Sequence, residues 1–411
     1  MSAAVRGRRI AAVTLGLVVG LAVGGVAGFV AQGQGRPAGV PSPATSRSPS
    51  PSPVASNVQP VHATRLLAWT PGELPAGYAS KVARLRGVDR MTEVVGGTAW
   101  MTRSLSVGGA VVDRPPAGMA IPLDVAAARL ASFAPFLPPA DRAFLPDLAR
   151  GSAVLGASSA KLRRLGPGGV LWFGHTRIRV AGVVPDTEIG AAEVFVSLAT
   201  ARRIGVTRPR YLLIDPTAGA SRVRLTARLR GLLPKGVPLQ VRASGETPYL
   251  RQGDAVLPPV VIKELFGEFA ARPHAAGGWL TVDRAWSTRH LVTTTVPILG
   301  EITCNRAIMQ QLRGALNEIV REGLAHLIDP KDYAGCYAPR LLRPTDPTGG
   351  ISHHAWGIAL DINASQNPFG ATPHQDPRIV RIFERYGFTW GGRWVVPDGM
   401  HFEYVRPGMG A

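Results

Sequence analysis

The feature that most limits what this chain can become lies at its start. Arg6, Arg8 and Arg9 precede an uncharged, predominantly apolar run from Ile10 to Ala31. About twenty such residues cross a bilayer as one helix, whereas the apolar core of a cleavable signal spans about 7–15. Basic residues before the run and few after it put the N-terminus on the cytoplasmic side. Residues 1–31 are expected to be a retained signal anchor, with cleavage near Val26-Ala27-Gly28 as the alternative. On either reading the rest of the chain folds outside the cytoplasm.

That compartment gives the cysteines a meaning. Cys304 and Cys336 are the only two among 411 residues, and in an oxidising setting two lone cysteines usually pair. A disulfide is expected, two buried thiols being the alternative. The formal charge of +19 is less specific. Its arginines are scattered rather than interleaved with aromatics, and no nucleic-acid motif accompanies them, so nucleic acid is not expected as a partner. A basic exterior suits an anionic membrane or cell-wall polymer.

Beyond the apolar run, residues 32–63 contain "PSPATSRSPSPSPV". Alternating Pro and Ser cannot build a core and favour extended chain, so this is a linker. Residues 64–245 alternate β-rich and helical stretches. "TEVVGGTAWMT" and "LWFGHTRIRVAGVVP" read as strands from their β-branched and aromatic content. "DVAAARLASFA" and "SAKLRRLG" read as helices, the second closed by its glycine, and "SRVRLTARLRGLLPKG" as an amphipathic helix stopped by Pro and Gly. This is an α+β unit without a catalytic pattern. His62 and His175 stand alone, and interaction or scaffolding is its expected role.

Residues 246–411 read as a second α+β unit. "VIKELFGEFAAR" and "NRAIMQQLRGALNEIVREGLAHLI" are helical by apolar spacing. After Cys336 the pattern changes to short strands and glycine-rich loops, consistent with a small antiparallel sheet. A hydrophobic content of 45% is ample for both cores.

Four of the nine histidines fall in the last sixty residues. With "GIALDIN" as a strand, Ile358, Leu360 and Ile362 face one side, and Gly357, Ala359, Asp361 and Asn363 the other. His354, just before it, can lean over the second face. "PDGMHFEYV" supplies a further strand, with Phe402 and Tyr404 on one side and His401 and Glu403 on the other. Two imidazoles and a carboxylate make a three-ligand zinc set that leaves a fourth position open, as catalytic zinc requires. A core with a buried Asp–His hydrogen bond is the alternative. It leaves the histidines on two separate segments unexplained, and an Asp in an aliphatic strand is costly unless paired or metal-bound.

Ser352, His354, Gly357, Ala359 and Asp361 spell S-x-H-x-x-G-x-A-x-D. This resembles the signature of zinc D-alanyl-D-alanine carboxypeptidases and L-alanyl-D-glutamate peptidases, the group of VanY-type and phage endolysin enzymes. "PDGMHF" resembles the family's closing motif, with an acidic residue three before the last histidine, and "GCYAPR" resembles the segment carrying its arginine. The resemblance covers about residues 246–406. It implies Zn²⁺ on His354, Asp361 and His401, with Asp398 as general base and Arg340 as the charge stabilising the oxyanion. Glu403 is the rival base and Arg343 the fallback cation. Ser352, His353 and Trp356 fall around the ligands or substrate, His353 being the variable position and Trp356 packing beneath the loop. His374, in the polar insert "NPFGATPHQDPR", is expected at the surface.

The implied substrate is the peptidoglycan stem peptide, cut as a D-Ala-D-Ala carboxypeptidase or an L-Ala-D-Glu endopeptidase would cut it. The alternative is a zinc-containing, non-hydrolytic wall-binding module acting with a membrane partner. In the middle region, "AVLGASSAKLRRLGPGGVLWFGHTRIRVAGVVPD" followed by "AEVFVSL" resembles the extracytoplasmic domain of MacB- and FtsX-type membrane proteins. That implies a helix, a hairpin and a return strand, together with a possible membrane-protein partner.

Overall fold

The structure, a computed structural model, describes residues 65–255 and 257–406. The expected anchor and linker lie outside these residues. Among the described residues no helix is long and apolar enough to cross a membrane.

The middle region is built on an eleven-stranded mixed sheet. From one edge its strands are Gln240–Ala243, Leu66–Trp69, Pro209–Pro216, Val88–Met101 and Ile121–Ala128. The order continues through Val194–Ser197, Ala153–Gly156, Thr176–Val184, Val170–Phe173, Arg103–Leu105 and Val111–Asp113. The predicted helix, hairpin and return strand are present as Ala157–Arg163, Val170–Phe173 with Thr176–Val184, and Val194–Ser197. The amphipathic helix Arg222–Gly231 is present too, capped where the Ser221 side chain accepts from the Arg224 amide.

Two local expectations fail. "DVAAARLASFA" was expected to be helical, yet Ile121–Ala128 is a strand and only Leu130–Phe133 coils. The strand is hydrogen-bonded on both sides, antiparallel to Val88–Met101 and parallel to Val194–Ser197. Its residues are buried apart from a half-buried Asp124. A strand covered on both faces reads as a continuous apolar run, and that burial outweighs the helix preference of alanine. The helix Ala157–Arg163 ends not on a glycine but on Arg164, which itself takes the left-handed conformation at φ 49°.

The C-terminal region has its own core. The helix Met309–Arg321 buries Leu312, Ala315, Leu316 and Ile319, and Pro377–Arg385 buries Ile379, Val380, Ile382 and Phe383. These spacings of three and four residues put each apolar set on one helix face. Behind them lies an antiparallel sheet ordered Ala359–Asp361, His401–Tyr404, Phe388–Trp390. Phe402 packs on Phe383 with ring centres 4.6 Å apart. The alternation of a strand then turns Asp361, His401 and Glu403 to the opposite face.

The helix begun by "VIKELFGEFAAR" stops at Phe266, because Gly267 adopts φ 84° and its missing side chain leaves room for Trp286 and His290. The chain then runs extended, and Ala271 exchanges two backbone hydrogen bonds of 2.9 Å with Ala120 of the middle region. A buried ionic group stands at this joint. Lys263 Nζ lies 2.8 and 2.9 Å from the two Glu193 carboxylate oxygens, Arg163 donates to Glu193 at 2.9 Å, and Glu268 pairs with both cations. Buried charges persist only when partnered in this way.

Candidate metal centre

The loop Ser352–Gly357 delivers the first candidate ligand. Ser352 caps a single tight turn, His353–Trp356, by accepting a 3.4 Å hydrogen bond from the His354 amide. Gly357 ends the turn at φ 65°, and a Cβ there would sit 2.8 Å from the Asn305 amide nitrogen. Only glycine satisfies both demands. Trp356 is buried. Its indole donates to the Gly267 carbonyl at 3.2 Å and its ring lies 4.7 Å from that of Phe269. His354 Nδ1 donates to the Cys336 carbonyl at 3.0 Å, which leaves Nε2 with a free lone pair.

The other two candidate ligands come from strand register. Asp361 and His401 are direct partners across the antiparallel pair, so their side chains project together. His401 Nδ1 is 3.0 Å from Asp361 Oδ1 and 3.2 Å from His354 Nε2, and His354 Nε2 is 3.2 Å from Asp361 Oδ2. The three side chains are buried, with 2%, 8% and 6% residue exposure for His354, Asp361 and His401. Their ligand atoms lie within 4.8 Å of one another. The sequence expectation that these residues converge is met.

The donor set fits a divalent metal such as zinc. Two nitrogens and a carboxylate converge, and each imidazole gives its other nitrogen to an oxygen behind it: His354 to Cys336, and His401 Nε2 to Glu403 at 3.4 Å. The electrostatics also favour a cation. Burial alone would raise the Asp361 carboxyl, but His354 and His401 hold it well below the usual range. Burial would lower the His401 imidazole, yet Asp361 and Glu403 overcome this and raise it to about 10.

Around the ligands the two carboxylates differ. Glu403 is fully enclosed; burial would raise it, but the charge and 2.7 Å hydrogen bond of His353 Nδ1, with help from His401, hold it far below its ordinary value. Asp398 is shifted the other way by burial, moderated by His401, His354 and Arg340. Its Oδ1 makes no hydrogen bond among the described residues. A turn fixes its place: the His401 amide donates to the Asp398 carbonyl at 3.2 Å, and the Asp398 amide to Gly391 at 2.9 Å. The Arg340 carbonyl accepts from the Ser352 amide at 3.0 Å, beside the His354 loop. Arg343 points elsewhere, 4.0 Å from Glu73 of the middle region. His374 is exposed.

Cys304 and Cys336 form the expected disulfide, with Cα atoms 5.4 Å apart. Three participants escaped the sequence reading. The Cys336 carbonyl and Asn305 are contacts that no residue pattern announces. Trp394 lies with its ring 5.0 Å from that of His401; its place in "WGGRW" marks a tryptophan-rich loop but not the histidine it meets.

Residues 345–404 match the Peptidase_M15_4 family, described as D-alanyl-D-alanine carboxypeptidase. No curated protein matches the chain. Among solved structures, the periplasmic region of MacB from Actinobacillus actinomycetemcomitans aligns at 14% identity with a TM-score of 0.33, over 46% of this chain and 93% of that one. The extracellular domain of the noncanonic ABC-type transporter YknZ from Gram-positive bacteria aligns at 11% identity and a TM-score of 0.26, over 40% and 87%. The segment that matches this peptidase family, residues 345–404, is the one that carries the buried His354–Asp361–His401 cluster.

Proposed function

We propose that the protein is a membrane-anchored, extracytoplasmic zinc peptidase that hydrolyses peptide bonds in peptidoglycan stem peptides. The observation that carries this reading is the convergence of His354, Asp361 and His401 inside the segment that matches the peptidase family. The proposed division is an anchor at 1–31, a linker at 32–63, a scaffold or partner-binding domain at 64–245, and the peptidase at 246–411.

When bound, zinc supplies Lewis-acid polarisation of a carbonyl and makes water acidic enough to attack near neutral pH. The chain's own residues do the rest. Asp398 Oδ1 takes the proton of the attacking water and returns it to the leaving amine. Burial, which raises its affinity for a proton, suits this role, whereas the Glu403 carboxylate is already engaged by His353 and His401. Glu403 instead accepts the His401 Nε2 proton and so keeps Nδ1 available as a ligand. Arg340 supplies a fixed positive charge for the developing oxyanion.

The test is incubation of the full chain with muropeptides, with and without a chelator, followed by mass analysis of the products. Chelator-sensitive loss of a terminal D-Ala identifies a carboxypeptidase, and cleavage between L-Ala and D-Glu an endopeptidase. Muropeptide binding without any cleavage would mean a wall-binding module.

A further inference from the structure

The metal loop is gripped from two sides, and the two grips belong to the two half-cystines. On one side, Cys336 accepts the His354 Nδ1 hydrogen bond with its own carbonyl at 3.0 Å. Its neighbours hold the ligand backbones: Ala338 donates to the His354 carbonyl at 3.1 Å, Ala334 to the Asp361 carbonyl at 2.9 Å, and Asp361 to Gly335 at 3.1 Å. On the other side stands Asn305, next to Cys304. Its amide donates to the Gly357 carbonyl at 2.8 Å and its side chain to the Trp356 carbonyl at 3.1 Å.

The two sides are unequal in their own support. Cys304 and Asn305 end the strand Gly300–Asn305, which pairs along its length with Leu291–Val296. The stretch from Ala334 to Ala338 belongs to no regular strand or helix. It meets the Cys304 strand through a hydrogen bond from the Tyr337 amide to the Thr303 carbonyl at 3.0 Å, and through the disulfide. An irregular segment with few such ties opens readily unless cross-linked.

We propose that the Cys304–Cys336 disulfide is a positioning element of the metal centre, so that only the bridged chain captures the metal tightly. The inference rests on the metal-centre reading above and adds a maturation step to it. Bridge formation removes two electrons and two protons from the pair of thiols. A partner disulfide accepts both and leaves as a dithiol. Because Cys304 and Cys336 are 0% and 2% exposed, this exchange belongs to folding rather than to reversible control of the finished protein. A chain still reduced before export would therefore hold zinc weakly.

The experiment compares the full chain in detergent with Cys304→Ala/Cys336→Ala, measuring zinc dissociation constants by competition with a chromogenic chelator. Circular dichroism and thermal unfolding of the metal-free proteins report the fold. Loss of a partner behind a metal ligand weakens binding by about 10–100-fold, and that is the expected effect. A bridge that serves stability alone lowers the unfolding temperature and leaves zinc affinity of the folded protein unchanged; this result overturns the proposal. If the double variant does not fold, Cys304→Val/Cys336→Ala decides, since it refills the buried space while still lacking the bridge. Weakened zinc binding there supports the proposal and wild-type affinity overturns it. Tight zinc binding without muropeptide cleavage would sink the peptidase reading and leave this one standing.

Discussion

Glu403 accepts a 2.7 Å hydrogen bond from Nδ1 of His353 and stands 3.4 Å from Nε2 of His401, so one enclosed carboxylate joins the two ligand-bearing segments from behind. Its role separates cleanly from that of a base. Glu403→Ala should weaken zinc binding about 10–100-fold while turnover at saturating zinc stays near wild type. A loss of about 10²–10⁴-fold at saturating zinc would instead make Glu403 the proton acceptor.

His401→Ala removes a proposed ligand and the partner that faces Asp361. Elemental analysis of the purified variant should find it without stoichiometric zinc. Full occupancy would show that the ligand set is wrong.

Asp398→Asn should retain both zinc and fold, because Asp398 is not among the three converging residues and its backbone hydrogen bonds to Gly391 and His401 do not depend on the side chain. An amide cannot accept the proton, so kcat should fall about 10²–10⁴-fold. Arg340→Ala should also act mainly on kcat, by about 10²–10³-fold. Steady-state kinetics on a defined muropeptide checks both.

The buried ionic group at the joint predicts an acid-sensitive fold. Burial opposes ionisation of Glu268, but Lys263 and Arg163 hold its carboxyl below its ordinary value. A depressed carboxyl contributes stability above its unfolded pKa, about 4.3. That contribution is lost as pH falls from there through the folded value. Glu268→Gln should flatten the pH dependence of the unfolding midpoint in this window. Removing the shared partner with Glu193→Gln should cost about 3–5 kcal/mol, read by denaturant unfolding.

Much of the centre is written in adjacent residues. Ser352, His354, Gly357 and Asp361 each have a local task, and local tasks leave a spacing that can be read. His401 was legible because its strand alternates histidine and glutamate against phenylalanine and tyrosine. The pairing of His353 with Glu403 was not, since it depends on how segments fifty residues apart align. The same holds for Arg343, whose sequence neighbours the arginine segment while its side chain meets Glu73 of the middle region. The strand Ile121–Ala128 was misread for a related reason: its alanines report local preference, and the two flanking strands that decide its state come from elsewhere in the chain.

Asp361 and His401 are set opposite each other by one antiparallel pairing, and the chain between them carries the polar insert and the helix Pro377–Arg385. Residues gained or lost at the insert's exposed turn, around Phe369 and Gly370, can be absorbed by bulging into solvent. The same change inside His401–Tyr404 would exchange its two faces and turn an aromatic toward the metal. Descendants of this chain should therefore differ freely in the size of the insert and hardly at all in the parity of the strand that follows it.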